Sequence, residues 1–262
     1  MSDDVWLQAQ KVSKHFGAVV ALHEVELAIR LCEVVALVGD NGAGKSTLVK
    51  ILAGAHPLSS GSIAINNQVV LIDSPVKARS LGIATIFQEL ALIENLTIYE
   101  NIFLGREMVN PFLGLPIMDR RRMRERVVKL IEGLGAHIPS PCVQVAELSG
   151  GQRQAVAIAR ALDLDTKLVI MDEPTAALAV VEARKVLQLI GQLRENGNGV
   201  LLVSHNLNDV FEVADRIVVL RRGRKVADVL RSQTDPEEVV SWITGAKAGS
   251  VFSNQQPDTG RN

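Results

Sequence analysis

The sequence predicts an α/β fold built on a mostly parallel sheet, and three observations carry that prediction. Val34–Val38, Leu168–Met171 and Val200–Val203 are unbroken apolar runs of strand length, the pattern of strands buried on both faces. The last third of the chain alternates such runs with helical patterns, which implies parallel strands joined by right-handed crossovers. A glycine-rich stretch, Gly39–Gly44, sits between the first run and a helix, at the carboxyl end of a strand where open parallel sheets bind ligands.

The elements follow in order. Val5 to Val12 and Ala18 to Ile29 are β-rich and partly alternating, with a turn at Phe16-Gly17. Glu33 to Val38 is the first buried strand. Lys45 to Ala53 places apolar residues at 48, 49, 51 and 52, one helical face, and Gly54 and Pro57 end it. Ser62 to Leu71 reads as a further hairpin. The spacing then turns helical from Arg120 to Leu134, with Arg120, Arg121, Arg122, Arg124, Arg126 and Lys129 as a solvated basic face or a surface for a partner or anionic lipid heads. Gln152 to Leu162 is a second helix of this middle region. Strand Leu168–Met171, helix Val180–Asn196, strand Val200–Val203, helix Asn206–Ala214 and strand Ile217–Leu220 close the fold. The segment after Gly245 is polar and contains Gly, Ser and Pro, which predicts a flexible tail.

Composition excludes several classes. At 262 residues the chain is large enough for a sizeable core. A net charge of −1 and 3% aromatic residues give neither the electrostatic footprint nor the stacking platforms expected of a nucleic-acid binder. Two cysteines, Cys32 and Cys142, cannot build a disulfide framework and suit a reducing compartment. No apolar run is long enough to cross a bilayer. MSDDVWLQAQ lacks the basic and apolar regions of a secretory signal, so the product is expected to stay inside the cell.

Gly39-Asp40-Asn41-Gly42-Ala43-Gly44-Lys45-Ser46 matches G-x-x-x-x-G-K-[ST], and a strand before it and a helix after it supply the context the motif needs. Its glycines let backbone N–H groups turn inward onto phosphate oxygens, and the helix N-terminus adds partial positive charge. Lys45 is expected to reach the β- and γ-phosphates and the Ser46 hydroxyl to ligate Mg²⁺. Asp172 and Glu173 end the apolar run Leu168–Met171, so Asp172 is a candidate Mg²⁺ ligand and Glu173 a candidate for polarising water. His205 follows Val200–Ser204, so Gly39, Asp172 and His205 fall at the ends of three predicted strands. Ser149-Gly150-Gly151-Gln152, within Leu148–Gln152, is a capping box opening a helix, and its two glycines expose N–H groups as a second anion site.

With LSGGQ placed between GDNGAGKS and LVIMDE, residues 5–245 resemble the ATP-binding subunits of ABC transporters. The resemblance implies a P-loop core with a mostly parallel sheet, an N-terminal antiparallel β subdomain and a helical insertion at about 89–163, followed by a flexible tail at 246–262. It implies ATP and Mg²⁺ as ligands, bound by Gly39, Asp40, Asn41, Gly42, Ala43, Gly44, Lys45, Ser46 and Thr47. It further implies a head-to-tail homodimer in which Ser149, Gly150, Gly151 and Gln152 of one copy close over the nucleotide of the other. Gln88, in Ile86-Phe87-Gln88-Glu89, resembles the glutamine that senses the γ-phosphate and meets the metal, with Ser46 and Asp172. Phe16 falls where the family stacks adenine, with a buried hairpin phenylalanine as the alternative. Glu173 matches the catalytic carboxylate and His205 the switch histidine.

Asn95–Thr97, Asn101–Glu107, Met118–Arg121 and Gly151–Ala161 are similar to the simple-sugar importers of the ribose, xylose, galactose and fructose type. That implies an ATPase powering monosaccharide import through separate permease subunits, with a sugar-binding protein in the same system, peripheral on the cytoplasmic face of the membrane. The other readings are a soluble ABC ATPase of translation or DNA maintenance and a regulatory nucleotide-binding module. Ala179 departs from the family, which places an Asp there.

Overall fold

The computed structural model describes residues 5–112, 115–162, 166–176 and 178–247. Most of the expected tail, from residue 248, lies outside the described residues.

Six strands form the central sheet in the order β12(Arg224–Leu230), β11(Arg216–Arg221), β3(Val34–Val38), β10(Gly199–Val203), β9(Leu168–Asp172) and β6(Ile83–Ile86). All neighbours pair in parallel except the edge strand β12, which returns antiparallel beside β11. The apolar runs are continuous because both faces are covered. Val34, Ala36, Val38, Val169, Met171, Val200 and Leu202 enter one hydrophobic core, and Val35, Leu37, Leu168, Ile170, Leu201 and Val203 enter the other.

An antiparallel sheet in the order β2(Val19–Arg30), β1(Val5–Phe16), β4(Ser60–Ile65) and β5(Gln68–Val70) covers the second face together with α1(Lys45–Leu52). Strand β1 runs on to Phe16, past the expected stop at Val12, because β2 pairs with it up to the turn. The first face carries α3(Ile98–Phe103), α4(Arg120–Gly133) and α5(Gly150–Ala161), the helical insertion, with α6(Val180–Glu195) and α7(Leu207–Val213). Met123, Val127 and Ile131 form the apolar stripe of α4 and are buried, while its arginines face outward or line a hollow beside α3.

Beyond the sequence reading lie α2(Pro75–Ser80), helix α3 as a separate element, the edge strands β6 and β12, α8(Pro236–Thr244), and a hairpin β7(Val109–Phe112)–β8(Leu115–Met118) inside the insertion expected to be helical. Helix α8 carries plain stop and start signals, Asp235 capping Glu238 N–H and Gly245 in the left-handed conformation.

Candidate functional site

The loop after β3 turns on two glycines that admit no other residue. A Cβ on Gly39 (φ +151°) would lie 2.2 Å from the Leu220 carbonyl oxygen of β11. On Gly44 (φ +104°) it would lie 2.8 Å from the Ala21 carbonyl of β2. The loop is therefore wedged between both sheets. Ala43 N–H donates to the Asp40 carbonyl at 3.1 Å, and Gly223 N–H donates to the Ala43 carbonyl at 2.9 Å. Helix α1 begins at Lys45 with no side-chain cap, so its first N–H groups stay open for an anion.

Lys45 is buried, and its ammonium donates to the carbonyls of Gly39 at 2.6 Å and Asp40 at 3.0 Å. Burial pulls its pKa below the ordinary lysine value, against Glu173, Asp172 and Asp40, which hold it up. Asp172 is pushed above the usual aspartate value, first by burial and then by the neighbouring Glu173. Partial relief comes from Lys45 and Lys50. An anionic end and a cationic end thus face one cavity of about 370 Å³, lined by Asn41–Thr47, Gln88, Asp172 and Glu173.

Glu173 holds φ +54°, the left-handed region, directly before Pro174. Such backbone is costly in a non-glycine residue and persists where the surrounding structure holds it. Its N–H donates to the Val203 carbonyl at 2.9 Å, tying the end of β9 to the end of β10. Its carboxylate, 18% exposed, faces Nδ1 of His205 within hydrogen-bond reach. His205 itself is 66% exposed.

The sequence-derived residues are therefore brought together unevenly. Asn41, Gly42, Ala43, Gly44, Lys45, Ser46, Thr47, Gln88, Asp172 and Glu173 line one cavity, Gly39 and Asp40 hold Lys45 from behind, and His205 joins through Glu173. Phe16 is exposed at the tip of the β1–β2 hairpin, edge-on to His56 with ring centroids 5.5 Å apart and Lys14 Nζ 5.0 Å above its ring. A buried hairpin phenylalanine is excluded. Phe16 is not among the residues lining the cavity; Val19, Val20 and Ala21 of β2 line it instead, and no sequence signal singled them out.

Ser149, Gly150, Gly151 and Gln152 form the first turn of α5 and do not line this cavity. The Ser149 hydroxyl accepts from Gln152 N–H at 3.4 Å, and the Gln152 side chain accepts from Ser149 N–H at 3.1 Å, closing the expected capping box. A Cβ on Gly150 would lie 2.6 Å from Leu178 Cδ2. The start of α5 is thus packed on the segment that follows Glu173. One chain therefore holds two glycine-rich helix starts that do not line one cavity.

Comparison with known proteins agrees with this geometry. The sequence profile of the ABC transporter family matches residues 22–176. The chain is 49% identical over 245 residues to the xylose/arabinose import ATP-binding protein XylG of Sulfolobus acidocaldarius, covering 94% of this chain and 96% of that protein. It is 41% identical over 251 residues to the fructose import ATP-binding protein FrcA of Rhizobium meliloti, covering 94% and 96%. It is 42% identical to the ribose import ATP-binding protein RbsA of Chromobacterium violaceum, covering 95% of this chain but 49% of that longer protein. Among solved structures, a nucleotide-free ATP-binding cassette from an ABC transporter superposes with a TM-score of 0.79 at 27% identity, covering 91% of this chain and 98% of the other. A dimeric bacterial ABC transporter cassette superposes with a TM-score of 0.71 at 27% identity, covering 86% and 98%.

Proposed function

The chain belongs to the ABC transporter family as an ATP-hydrolysing subunit, and from that premise we propose that it powers the import of a monosaccharide through separate membrane permease subunits. The observation that carries the nucleotide half is the single cavity in which the N-terminus of α1, buried Lys45 and the Asp172–Glu173 pair converge. The sugar half is supported by relatives named for xylose/arabinose, fructose and ribose import.

ATP is the substrate. Its β- and γ-phosphates take the N–H groups of Asn41–Thr47 and the Lys45 ammonium. Phe16, exposed at the hairpin tip, offers an aromatic face to adenine. Ser46 hydroxyl, Gln88 carbonyl and Asp172 carboxylate are oxygen donors in the same cavity, where burial and then Glu173 hold the Asp172 carboxyl above the usual aspartate value. That donor set fits Mg²⁺, which takes few protein ligands and completes its shell with phosphate and water. When bound, the ion supplies neutralisation of charge developing on the γ-phosphate.

Glu173 orients and polarises the attacking water, and Lys45 balances charge on the transferred group. His205 fixes the rotamer of Glu173 through Nδ1 and supports the transition state. Ser149–Gln152 of a second copy close the site, which makes the working unit a homodimer. In this reading the dimer sits peripherally on the cytoplasmic face of the membrane, on permease subunits served by a sugar-binding protein.

The test mixes Lys45→Ala subunits with Ser149→Arg subunits, each nearly inactive alone. A mixed dimer retains one site with both elements intact, so ATPase activity should return to at most about half of wild type. Full activity of the Ser149→Arg chain alone overturns the composite site.

A further inference from the structure

Beyond Glu173 and His205, the two loops that carry them are joined a second time, and this join is buried. Thr175, two residues after Glu173, donates its hydroxyl to Asp209 Oδ2 at 2.6 Å. Asp209 is 8% exposed and stands in the first turn of α7, four residues after His205. A carboxylate at that position is favoured by the helix dipole, and a hydrogen bond to a charged acceptor is among the stronger ones.

Among the described residues between Glu173 and α6, the other restraints are main-chain hydrogen bonds and the packing of Leu178 beside Gly150. Glu173 holds a left-handed backbone with one ladder-like bond to Val203. Ala176 N–H reaches the Glu173 carbonyl at a long 3.3 Å, and Leu178 N–H reaches the Thr175 carbonyl at 3.1 Å. At the far end Ala179 starts α6 without any side-chain cap. Thr175 is therefore the one described residue of this segment whose side chain has a recorded hydrogen bond to another element.

We propose that Asp209 is a positioning residue that acts through the Thr175 hydroxyl to hold the Glu173 loop in register with the His205 loop. The tether keeps the Glu173 carboxylate facing the phosphate cavity, against the tendency of a left-handed glutamate to relax. It also passes the position of the His205 loop to Leu178, which lies against Gly150 at the start of α5. The inference rests on the reading of Glu173 and His205 as the pair that faces the γ-phosphate.

The experiment compares Thr175→Val, Thr175→Ser, Asp209→Leu and the Thr175→Val/Asp209→Leu double variant in the intact chain, with Glu173→Gln as reference. Thr175→Val keeps the shape and removes only the donor, so it guards against misfolding. Each single loss of the tether should lower kcat by about ten- to a hundredfold, the upper figure being what a misplacement of about 1 Å can cost a reacting group, with KM for ATP within about twofold. Thr175→Ser should restore the rate, and the double variant should be no slower than either single one. Amide exchange at residues 173–178 should rise in Thr175→Val while that of residues 45–52 stays as in wild type.

Wild-type kcat and unchanged exchange in Thr175→Val overturn the proposal, as does a failure of serine to rescue or additive losses in the double variant. Wild-type turnover in Glu173→Gln overturns instead the site reading beneath it. A slow Glu173→Gln together with a normal Thr175→Val removes the tether alone.

Discussion

Replacing Lys45 by Met separates binding from stability, and the structure gives the sizes of both effects. The ammonium makes two hydrogen bonds to main-chain carbonyls, Gly39 at 2.6 Å and Asp40 at 3.0 Å. Bonds to a charged group contribute about 1.5–3 kcal/mol each. Burial works against the charge, as its lowered pKa records, and methionine fills the same space without that cost. The two effects oppose each other, so unfolding of the nucleotide-free chain in urea should change by less than about 2 kcal/mol. The phosphates lose a charged donor with no replacement, which costs about 1.5–3 kcal/mol of affinity, or roughly 10- to 150-fold in Kd. A fluorescent ATP analogue titrated at equilibrium reads the second quantity directly. An unchanged Kd refutes Lys45 as a phosphate ligand. A stability loss above about 3 kcal/mol shows that Lys45 is chiefly a strut of the loop, since a burial penalty would then not have offset its bonds.

Three further outcomes follow from single interactions. Arg216, 4% exposed, donates to Glu33 and Asp228 at 2.7 Å each and to the Ala28 carbonyl. Arg216→Met takes the guanidinium from buried Asp228 and half-buried Glu33, which keep Lys225 and Arg30 as partners, so urea unfolding should show a loss at or below the lower end of the about 3–5 kcal/mol that breaking a fully buried pair costs; a loss below about 1 kcal/mol contradicts the argument. Ala179 occupies the N-cap of α6 with Glu182 three residues on. Ala179→Asp should add about 1 kcal/mol, read as a rise in Tm of about 2–4 °C, and a lower Tm refutes it. Glu100 is held below the usual glutamate pKa, first by the Thr97 hydroxyl at 2.6 Å and then by Thr97 N–H at 2.9 Å. A folded-state pKa below the unfolded one gives stability that is present above the ordinary value and is lost as pH falls through the depressed one. Glu100→Gln keeps a capping partner and should remove that acid-side slope from urea melts taken across pH. An unchanged slope rejects the assignment.

Much of the site was legible because its signals are local. The apolar runs before Gly39 and Glu173, the glycines needed at left-handed positions and the Ser149–Gln152 box each depend on neighbours within a few residues. Their physics is complete in a short window: a strand period, a φ that only glycine tolerates at low cost, a hydroxyl three residues from an N–H. The departure at Ala179 is legible only through the resemblance to ABC ATP-binding subunits, which place an Asp there, and its helix-capping consequence is visible only because α6 begins at Val180.

Edge strands were less legible. Ile83–Ile86 is short, and Arg224–Leu230 is interrupted by Lys225 and Asp228, so neither shows a clear apolar period. Strand β12 pairs antiparallel with β11 and buries Ala227, Asp228 and Val229, with Asp228 meeting Arg216 across the hairpin and Arg216 meeting Glu33, 183 residues earlier in the chain. The hairpin inside the helical insertion is likewise set by pairing between β7 and β8 and not by a strong strand pattern.

The sequence by itself determined the α/β class, the glycine-rich loop between strand and helix, the acidic strand end and the capped, glycine-rich start of α5, since the local elements rest on forces acting between near neighbours. Only the tertiary structure decided that Phe16 stands exposed beside His56, that Val19–Ala21 wall the cavity, and that Thr175 is tied to Asp209 from 34 residues away. Those are meetings of side chains across strands and helices. They follow from how sheets and helices pack once their apolar faces are buried, and no window of sequence contains both partners.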